Sequence, residues 1–204
     1  MSAHLFVAAI YDALMVPADR LGFEQVRRMV VQKASGNVLE IGAGTGLNFK
    51  YFESARAVFA IEPDPLMLKR AVPRLKDSIT ILQAAAERLP FPDSSFDTIV
   101  STLTFCTIGD PLLAAKEIRR VLKPDGCFFF AEHPIADKHI LANIERAMTP
   151  LWKKVAGGCH LDRDIVSQLK SGGLTISEII RLDSFFVAGR ASKGEPCKTP
   201  GPFA

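Results

Sequence analysis

The chain has 204 residues, of which 48% are hydrophobic and 23% are charged. This composition is typical of a folded globular protein, and it excludes a chain that is disordered throughout. The length suits one domain with a sizeable core. The formal net charge is only +3 and no long basic run is present, so nothing indicates nucleic-acid binding.

The cysteines and the first apolar run indicate the compartment. The four cysteines are Cys106, Cys127, Cys159 and Cys197. Because they are widely spaced and form no Cys-x-x-Cys pair, we predict neither a metal site nor a redox dithiol, but free thiols in a cytoplasmic protein. Residues 5–10 are apolar but lack a basic flank and fall short of the about 20 residues that span a bilayer. We therefore expect no transmembrane segment.

Residues 1–34 read as a helical arm. Its first helical repeat consists of Val7, Ile10, Tyr11 and Leu14. The repeat returns between Leu21 and Val31, with Arg27 and Arg28 predicted to be solvated. An arm placed ahead of a sheet can cover the ligand edge of that sheet, with Tyr11 as a lid residue, or pack against its flank. The sequence leaves both alternatives open.

After Asn37, short apolar runs alternate with amphipathic segments. The candidate strands are 38–41, 57–61, 79–82, 98–103 and 127–131, and the helical segments between them include 65–72 and 111–122. Continuous apolar strands that alternate with helices are typical of a parallel sheet covered on both faces. The pattern predicts a doubly wound α/β fold with a mostly parallel sheet.

The pattern loosens after His133. One helical face comprises Ile140, Ile144, Met148 and Leu151. We expect Pro150 to disturb the end of this helix and 157–158 to terminate it. Asp162 is a candidate N-cap for a short helix that ends at 172–173, and 174–182 with 185–191 read as a closing antiparallel hairpin. We predict one domain over 1–192 and a loose tail over 193–204.

The stretch from Val38 to Gly46 runs from an apolar strand into a turn with glycine at alternate positions. Glycine lets the backbone approach a ligand closely, and open α/β sheets bind ligands at the carboxyl ends of their strands. The Gly-x-Gly-x-x-Gly of dinucleotide enzymes would need glycine where Leu47 stands. Glu40 beside the glycines would also repel a pyrophosphate, so the turn favours another nucleoside cofactor.

Taken together, the segments 40–46, 60–64, 85–91, 96–100 and 122–126 resemble the class I S-adenosylmethionine-dependent methyltransferases, whose fold is Rossmann-like. The resemblance implies that Glu62 accepts the ribose hydroxyls, that Glu40 orders the glycine loop or meets the cofactor's amino group, and that 85–87 forms the adenine turn. The residues that it assigns to S-adenosylmethionine are Glu40, Gly42, Ala43, Gly44, Gly46, Glu62, Pro63, Ala86, Glu87 and Thr102.

The end of the fifth strand indicates the methyl acceptor. The resemblance here is to the branch of methyltransferases that includes small-molecule thiol methyltransferases, and it rests on Glu132, His133, Trp152 and 158–163. The same residues also resemble bacterial phospholipid and quinone methyltransferases. The acceptor-binding candidates are Tyr11, His133, Trp152 and Arg163. His133 is the candidate base, with a structural histidine at a strand end as the alternative.

A thiol is the first choice of acceptor, because a thiol is partly ionised at neutral pH and strongly nucleophilic. A phospholipid head group or a quinone precursor is the alternative, and it would add peripheral membrane contact. The remaining alternative is a cofactor-binding regulatory protein without turnover, since the motifs indicate binding and not catalysis.

Overall fold

The computed structural model describes residues 11–13, 15–17, 19–133, 135, 139–181, 186–194 and 197. The strands are β1 Gly36–Ile41, β2 Ala55–Ile61, β3 Ile79–Leu82, β4 Phe96–Thr102, β5 Leu122–Glu132, β6 Thr175–Arg181 and β7 Val187–Ser192. The α-helices are α1 Glu24–Val31, α2 Pro65–Ala71, α3 Pro111–Val121, α4 His139–Val155 and α5 Ile165–Ser171. A π-helical turn, Asp19–Phe23, precedes α1.

The strands form one seven-stranded sheet in the order β3-β2-β1-β4-β5-β7-β6. The first five strands are parallel, and β7 pairs antiparallel with both β5 and β6. The predicted parallel sheet and closing hairpin are therefore confirmed. The strand order reverses between β1 and β4, so a crevice opens at their carboxyl ends, where doubly wound folds bind ligands.

Alternate residues of the central strands feed two cores, one on each face of the sheet. Val38 and Phe129 belong to one cluster with α1, whereas Leu39 and Phe128 belong to the other with α3 and α5. All four side chains are fully buried. Because successive strand residues point to opposite faces, apolar residues at every position predict a sheet covered on both sides.

Aspartates cap the helices that follow the strands. Asp64 is the N-cap of α2, and its carboxylate accepts a hydrogen bond from the backbone N–H of Leu66 at 2.7 Å. For α5 the prediction was wrong by two residues. Asp164, not Asp162, is the N-cap, and its carboxylate accepts from the Ser167 N–H at 3.0 Å. Asp162 and Asp164 both precede this helix, and the sequence pattern of an N-cap fits either of them.

The helix α4 continues for five residues beyond Pro150 to Val155, where we expected the proline to disturb it. Proline removes the hydrogen bond to the carbonyl of Arg146. Both residues are exposed, so water can satisfy that carbonyl. No helix among the residues that the structure describes is long and apolar enough to cross a membrane.

The cysteines differ in part from the prediction of four free thiols. Cys127 and Cys197 are joined by a disulfide, with their Cα atoms 5.2 Å apart, whereas Cys106 and Cys159 are free. The disulfide partners are 70 residues apart in sequence. Cys127 lies on β5 and Cys197 follows β7, its antiparallel neighbour, so the pairing depends on sheet order and could not be deduced from spacing.

Candidate active site

A cavity of about 480 Å³ opens at the carboxyl ends of β1, β2 and β4. Its volume lies within the usual range for a small-molecule site. The strand-end wall, with the start of α2, consists of Ile41, Gly42, Gly44, Ile61, Glu62, Pro63, Asp64, Pro65, Met67, Ala85, Ala86, Glu87 and Thr102. The loop wall consists of Leu103, Thr104, Thr107, Ile108, Gly109, Ala156 and Gly157. Tyr11 of the arm also lines the cavity.

The glycine turn after β1 needs its glycines for two different reasons. Gly42 has a φ of +69°, and a Cβ there would lie 2.3 Å from Cγ2 of Thr104. Gly46 has a φ of +81°, and its Cβ would lie 2.7 Å from the ring of Phe49. Gly44 has a φ of +55° but only an ordinary contact with Tyr11 at 3.9 Å. Gly42 and Gly46 are thus fixed by packing, whereas Gly44 leaves open backbone beside the cavity.

Glu62 follows β2 and is held by two backbone groups. Its Oε2 accepts a hydrogen bond from the Gly44 N–H at 2.8 Å, and its Oε1 accepts from the Asp64 N–H at 2.9 Å. The side chain is 7% exposed, and burial raises its pKa. Each carboxylate oxygen keeps a second lone pair. Glu62 can therefore accept a pair of ligand hydroxyls from a fixed position.

Beneath the strand-end wall lies a buried polar network. Glu40 accepts from Nδ2 of Asn48 at 2.6 Å, and the same amide nitrogen lies 3.0 Å from Oγ1 of Thr102. Arg27 donates to Oδ1 of Asn48 at 2.9 Å and is only 5% exposed, so its predicted solvation was wrong, whereas Arg28 is exposed.

Glu40 is the unsatisfied member of this network. Its side chain is 1% exposed, and burial raises its pKa to about 7. Oε2 has no hydrogen-bond partner among the residues that the structure describes. A buried acceptor without a donor is costly, so this oxygen is suited to receive a ligand donor such as an ammonium group.

The arm is tied to the cavity rim through Asp12. The Asp12 carboxylate accepts from the Thr45 hydroxyl at 2.5 Å and forms ion pairs with Arg70 at 3.1 Å and Arg74 at 2.8 Å. Next to it, Tyr11 lines the cavity, and burial raises the pKa of its phenol to about 12. Tyr11 and Asp12 of the arm therefore lie at the ligand edge, while α1 packs into the core on the flank of the sheet.

The turn after β3 contacts the loop before α3. Glu87 accepts from the backbone N–H groups of Gly109 at 2.9 Å and Asp110 at 3.1 Å. Ala86 is buried at 5% exposure and lines the cavity. This pair of bonds closes one end of the cavity and leaves the second oxygen of Glu87 available.

The loop wall is held from behind by two side chains. The fully buried Glu132 accepts from the Ser101 hydroxyl and from the backbone N–H groups of Thr104 and Phe105. Burial raises the pKa of Glu132 to about 7. Arg163 donates to the carbonyl oxygens at 105 and 108, so it supports the wall and is not among the cavity-lining residues.

At the junction of the two walls the backbone is strained. Leu103 has a φ of +52°, which is rare for a residue other than glycine, asparagine or aspartate. Its N–H donates to the carbonyl of Ala131 at 2.8 Å, which holds the turn in place. Strain of this kind persists where neighbouring bonds enforce it, and it collects at ligand sites.

Three of the four acceptor candidates do not line the cavity: Arg163, which supports the loop wall from behind, His133 and Trp152. His133 follows β5, and its ring packs edge-on against Phe186 with centroids 6.4 Å apart. Trp152 is 40% exposed on α4. Neither residue is among those that line the cavity, and nor are Glu40, Ala43 and Gly46 of the cofactor candidates.

The electrostatics of the cavity select for its ligand. Glu62, Asp64 and Glu87 supply three carboxylates, and none of the lining residues is lysine, arginine or histidine. A pyrophosphate would meet uncompensated negative charge there, whereas a cationic nucleoside with free ribose hydroxyls would not. The residues therefore fit S-adenosylmethionine. No group of acidic, histidine or cysteine side chains suited to a metal ion occurs in the described part of the chain.

Sequence reasoning missed four contributors to the site: Asp12, Arg27, Asn48 and Thr104. Asn48 lies two residues beyond Gly46, so its position at the glycine turn was a usable signal. Thr104 lies two residues beyond the end of β4, where loop residues of such sheets collect at the ligand edge. Asp12 and Arg27 carried no signal, because a charged residue on an amphipathic helix is usually solvated.

Comparisons with known proteins agree with this geometry. Residues 39–130 match the profile of a methyltransferase domain. A thiol S-methyltransferase of Rattus norvegicus, TMT1B, is 31% identical over 149 residues, covering 70% of the chain and 61% of the relative. A phosphatidylethanolamine N-methyltransferase of Cereibacter sphaeroides is 32% identical over 123 residues, covering 58% of the chain and 61% of the relative. The chain thus spans about three fifths of the length of these two curated relatives.

The fold is shared with solved structures. One is a chain from the complex between the Haloferax volcanii methyltransferase activator Trm112 and a methyltransferase, with a TM-score of 0.73 and 17% identity. The match covers 95% of this chain and 98% of the other. At this identity the similarity concerns the fold alone.

Proposed function

Because residues 39–130 match the profile of a methyltransferase domain, we propose that the chain transfers the methyl group of S-adenosylmethionine to a small thiol. The sulfonium cofactor supplies a methyl group that is already activated. The task of the protein is then to bind the cofactor, align the acceptor sulfur and exclude water.

The charge of the cavity supports the cofactor part of this proposal. Three carboxylates face the cavity, and no cationic side chain is among its lining residues. In this arrangement Glu62 would bind the ribose hydroxyls from the cavity wall, while Glu40, which is buried behind that wall, would order the glycine turn through Asn48. Tyr11 covers the site from the arm and limits the access of water.

The loop wall supports a thiol acceptor. It consists of apolar and small side chains with two threonine hydroxyls, and it offers neither histidine nor carboxylate. An amine must lose a proton before it attacks, whereas a thiol with a pKa near 8.5 is a few per cent thiolate at neutral pH without help. The thiol S-methyltransferase relative points to the same acceptor class.

Methylation of a phosphatidylethanolamine head group is the second candidate, favoured by the Cereibacter sphaeroides relative. The carboxylates of the cavity would also attract an ammonium head group. For this acceptor a base is needed, and His133, which does not line the cavity, would have to turn into it to serve as one. A His133→Ala variant that keeps full turnover would contradict that role.

The test is methyl transfer from labelled S-adenosylmethionine to a panel of small thiols and to phosphatidylethanolamine vesicles. The proposal expects labelled thioether and unlabelled lipid. Labelled lipid with unlabelled thiols would replace the first candidate by the second. Binding of S-adenosylhomocysteine without labelling of any acceptor would favour a regulatory cofactor-binding protein.

A further inference from the structure

Exposed apolar side chains of the described residues concentrate on α4. Nine large apolar side chains of the described residues are exposed, and five of them lie on this helix. Four of them form the apolar ridge: Ile140 at 76%, Ile144 at 48%, Met148 at 51% and Leu151 at 70% exposure. Their spacing of four, four and three residues places them on one face of a helix. The opposite face packs inward through Ala142 and Thr149, each 5% exposed.

The same helix carries a cationic flank. Arg146, Lys153 and Lys154 are exposed, whereas the one carboxylate of α4, Glu145, is half-buried. Lys154 borders the apolar ridge, whereas Arg146 and Lys153 lie four residues after Ala142 and Thr149 and so on the other side of the helix. A helix with an apolar face and a polar side that carries lysine and arginine has the pattern of a helix that lies in the plane of a membrane surface. Trp152, at the edge of the ridge, has the amphipathic ring that prefers the level of the lipid head groups.

The size of the ridge argues against a second copy of the chain as its partner. With Trp152 it comprises five exposed apolar side chains, whereas a standard protein interface involves about 20–30 residues and buries about 800 Å² on each side. A bilayer needs no such area, because anionic head groups add about 1 kcal/mol for each cationic side chain near the surface.

The position of the helix connects this surface to the cavity. Directly after Val155, where α4 ends, Ala156 and Gly157 form part of the loop wall. The Ala156 N–H donates to the carbonyl of Trp152 at 2.8 Å, which ties this turn to the end of α4. A surface that held α4 would therefore lie next to the loop wall of the cavity.

We propose that α4 docks the protein on anionic lipid bilayers, with the apolar ridge at the acyl boundary and the cationic flank on the head groups. Docking places the loop wall beside the lipid phase, from which an apolar acceptor can enter. Docking itself does not depend on the acceptor chemistry, whereas delivery of the acceptor rests on the proposed function.

Trp152 is the only tryptophan in the sequence, so its fluorescence reports on α4 alone. The full chain is mixed with phosphatidylcholine vesicles, with and without phosphatidylglycerol, and with vesicles whose acyl chains are brominated. We expect blue-shifted emission and quenching by brominated lipid only when phosphatidylglycerol is present. Unshifted and unquenched emission on vesicles that bind the protein would overturn the proposal.

Matched double variants locate the contact. Ile140→Glu with Leu151→Glu changes the ridge, and Val72→Glu with Leu113→Glu changes exposed apolar residues elsewhere, at 48% and 43% exposure. We expect the first pair to lower vesicle binding about tenfold or more and the second to leave it within about twofold. Equal effects would contradict docking through α4. Thermal melts of both pairs show that the fold is retained.

Two further results separate the alternatives. Lys153→Gln with Lys154→Gln should remove the preference for phosphatidylglycerol, since these side chains supply most of the cationic flank. A Trp152 shift that grows with protein concentration in the absence of vesicles would instead assign the ridge to a second copy. Calorimetry with S-adenosylhomocysteine in the absence of vesicles measures cofactor binding separately from docking, so a failure of the proposed function can be told from a failure of docking.

Discussion

The two walls of the cavity are built by different means. The strand-end wall is set by the ends of paired strands and by short hydrogen bonds, such as those of Glu62 to Gly44 and Asp64. The loop wall consists of turns that are supported from behind by Glu132 and Arg163. The residues of the strand-end wall belong to short sequence motifs in a fixed order. The residues of the loop wall and its supports come from segments that are far apart in the chain.

The contrast explains why the two substrates differ in how far they can be assigned. A nucleoside cofactor needs fixed polar groups, and sheet topology supplies these at the same edge in every fold of this kind. An acceptor needs shape and polarity, which loops provide and which vary freely on one scaffold.

The largest effect should come from filling the glycine turn. Gly42→Ala forces a Cβ against Thr104 and a positive φ on alanine, so we expect a loss of about 3 kcal/mol in the free energy of unfolding. Gly44→Ala meets only Tyr11 at 3.9 Å and should cost about 1 kcal/mol. Urea unfolding of both variants measures the difference. Equal losses would show that packing at Gly42 is not the constraint.

Buried Glu40 should make the strand-end wall sensitive to pH. Its pKa is raised to about 7, so the folded state holds a proton that the unfolded state releases near pH 4.5. The stability from this group is therefore present below pH 4.5 and is lost as the pH rises to 7, by up to about 3 kcal/mol.

Urea unfolding at pH 5 and pH 8 tests this dependence. Glu40→Gln should reduce the loss of stability between the two pH values, although not abolish it, because Glu132 has a similarly raised pKa. The exposed Glu53→Gln is the control and should leave the pH dependence unchanged. Parallel profiles of wild type and Glu40→Gln would contradict the account.

Glu62→Gln tests the cofactor role of the strand-end wall. The amide turns an N–H₂ group toward one of the two backbone N–H donors and loses the charged acceptor, so S-adenosylhomocysteine should bind about 2 kcal/mol more weakly. Calorimetry measures the change, with Glu53→Gln as the control. An unchanged affinity would remove Glu62 from the binding site.

The smallest effect should come from a substitution in the loop wall, and it should lower catalysis with the acceptor without changing cofactor binding. Ala156→Leu fills the cavity from the turn after α4, so kcat/KM for the acceptor should fall about tenfold, or about 1.4 kcal/mol. The affinity for S-adenosylhomocysteine should not change. A parallel loss of both would mean that the two walls do not serve separate substrates.

Much of the fold could be predicted from the sequence because its signals are local. Continuous apolar strands, Asp64 before a helix and the glycines of 42–46 each impose their structure through neighbouring residues. The failures concern contacts across the fold. The burial of Arg27 depends on Asn48, 21 residues away, and the Cys127–Cys197 disulfide spans 70 residues.

The candidate site shows the same division. The motifs identified Glu62 and the turn at Ala86, which line the cavity, since the ends of parallel strands meet at one edge. His133 and Trp152 were placed by resemblance at the acceptor pocket, yet neither lines the cavity. Loop packing decides the direction of a side chain that follows the last parallel strand, and no local sequence pattern predicts this packing.

The most direct test of the cofactor assignment is calorimetric titration of the full chain with S-adenosylhomocysteine and, separately, with NAD. A cavity with three carboxylates and no cationic side chain among its lining residues should bind the first at one molecule per chain and give no heat with the second. Heat with NAD and none with S-adenosylhomocysteine would contradict the account.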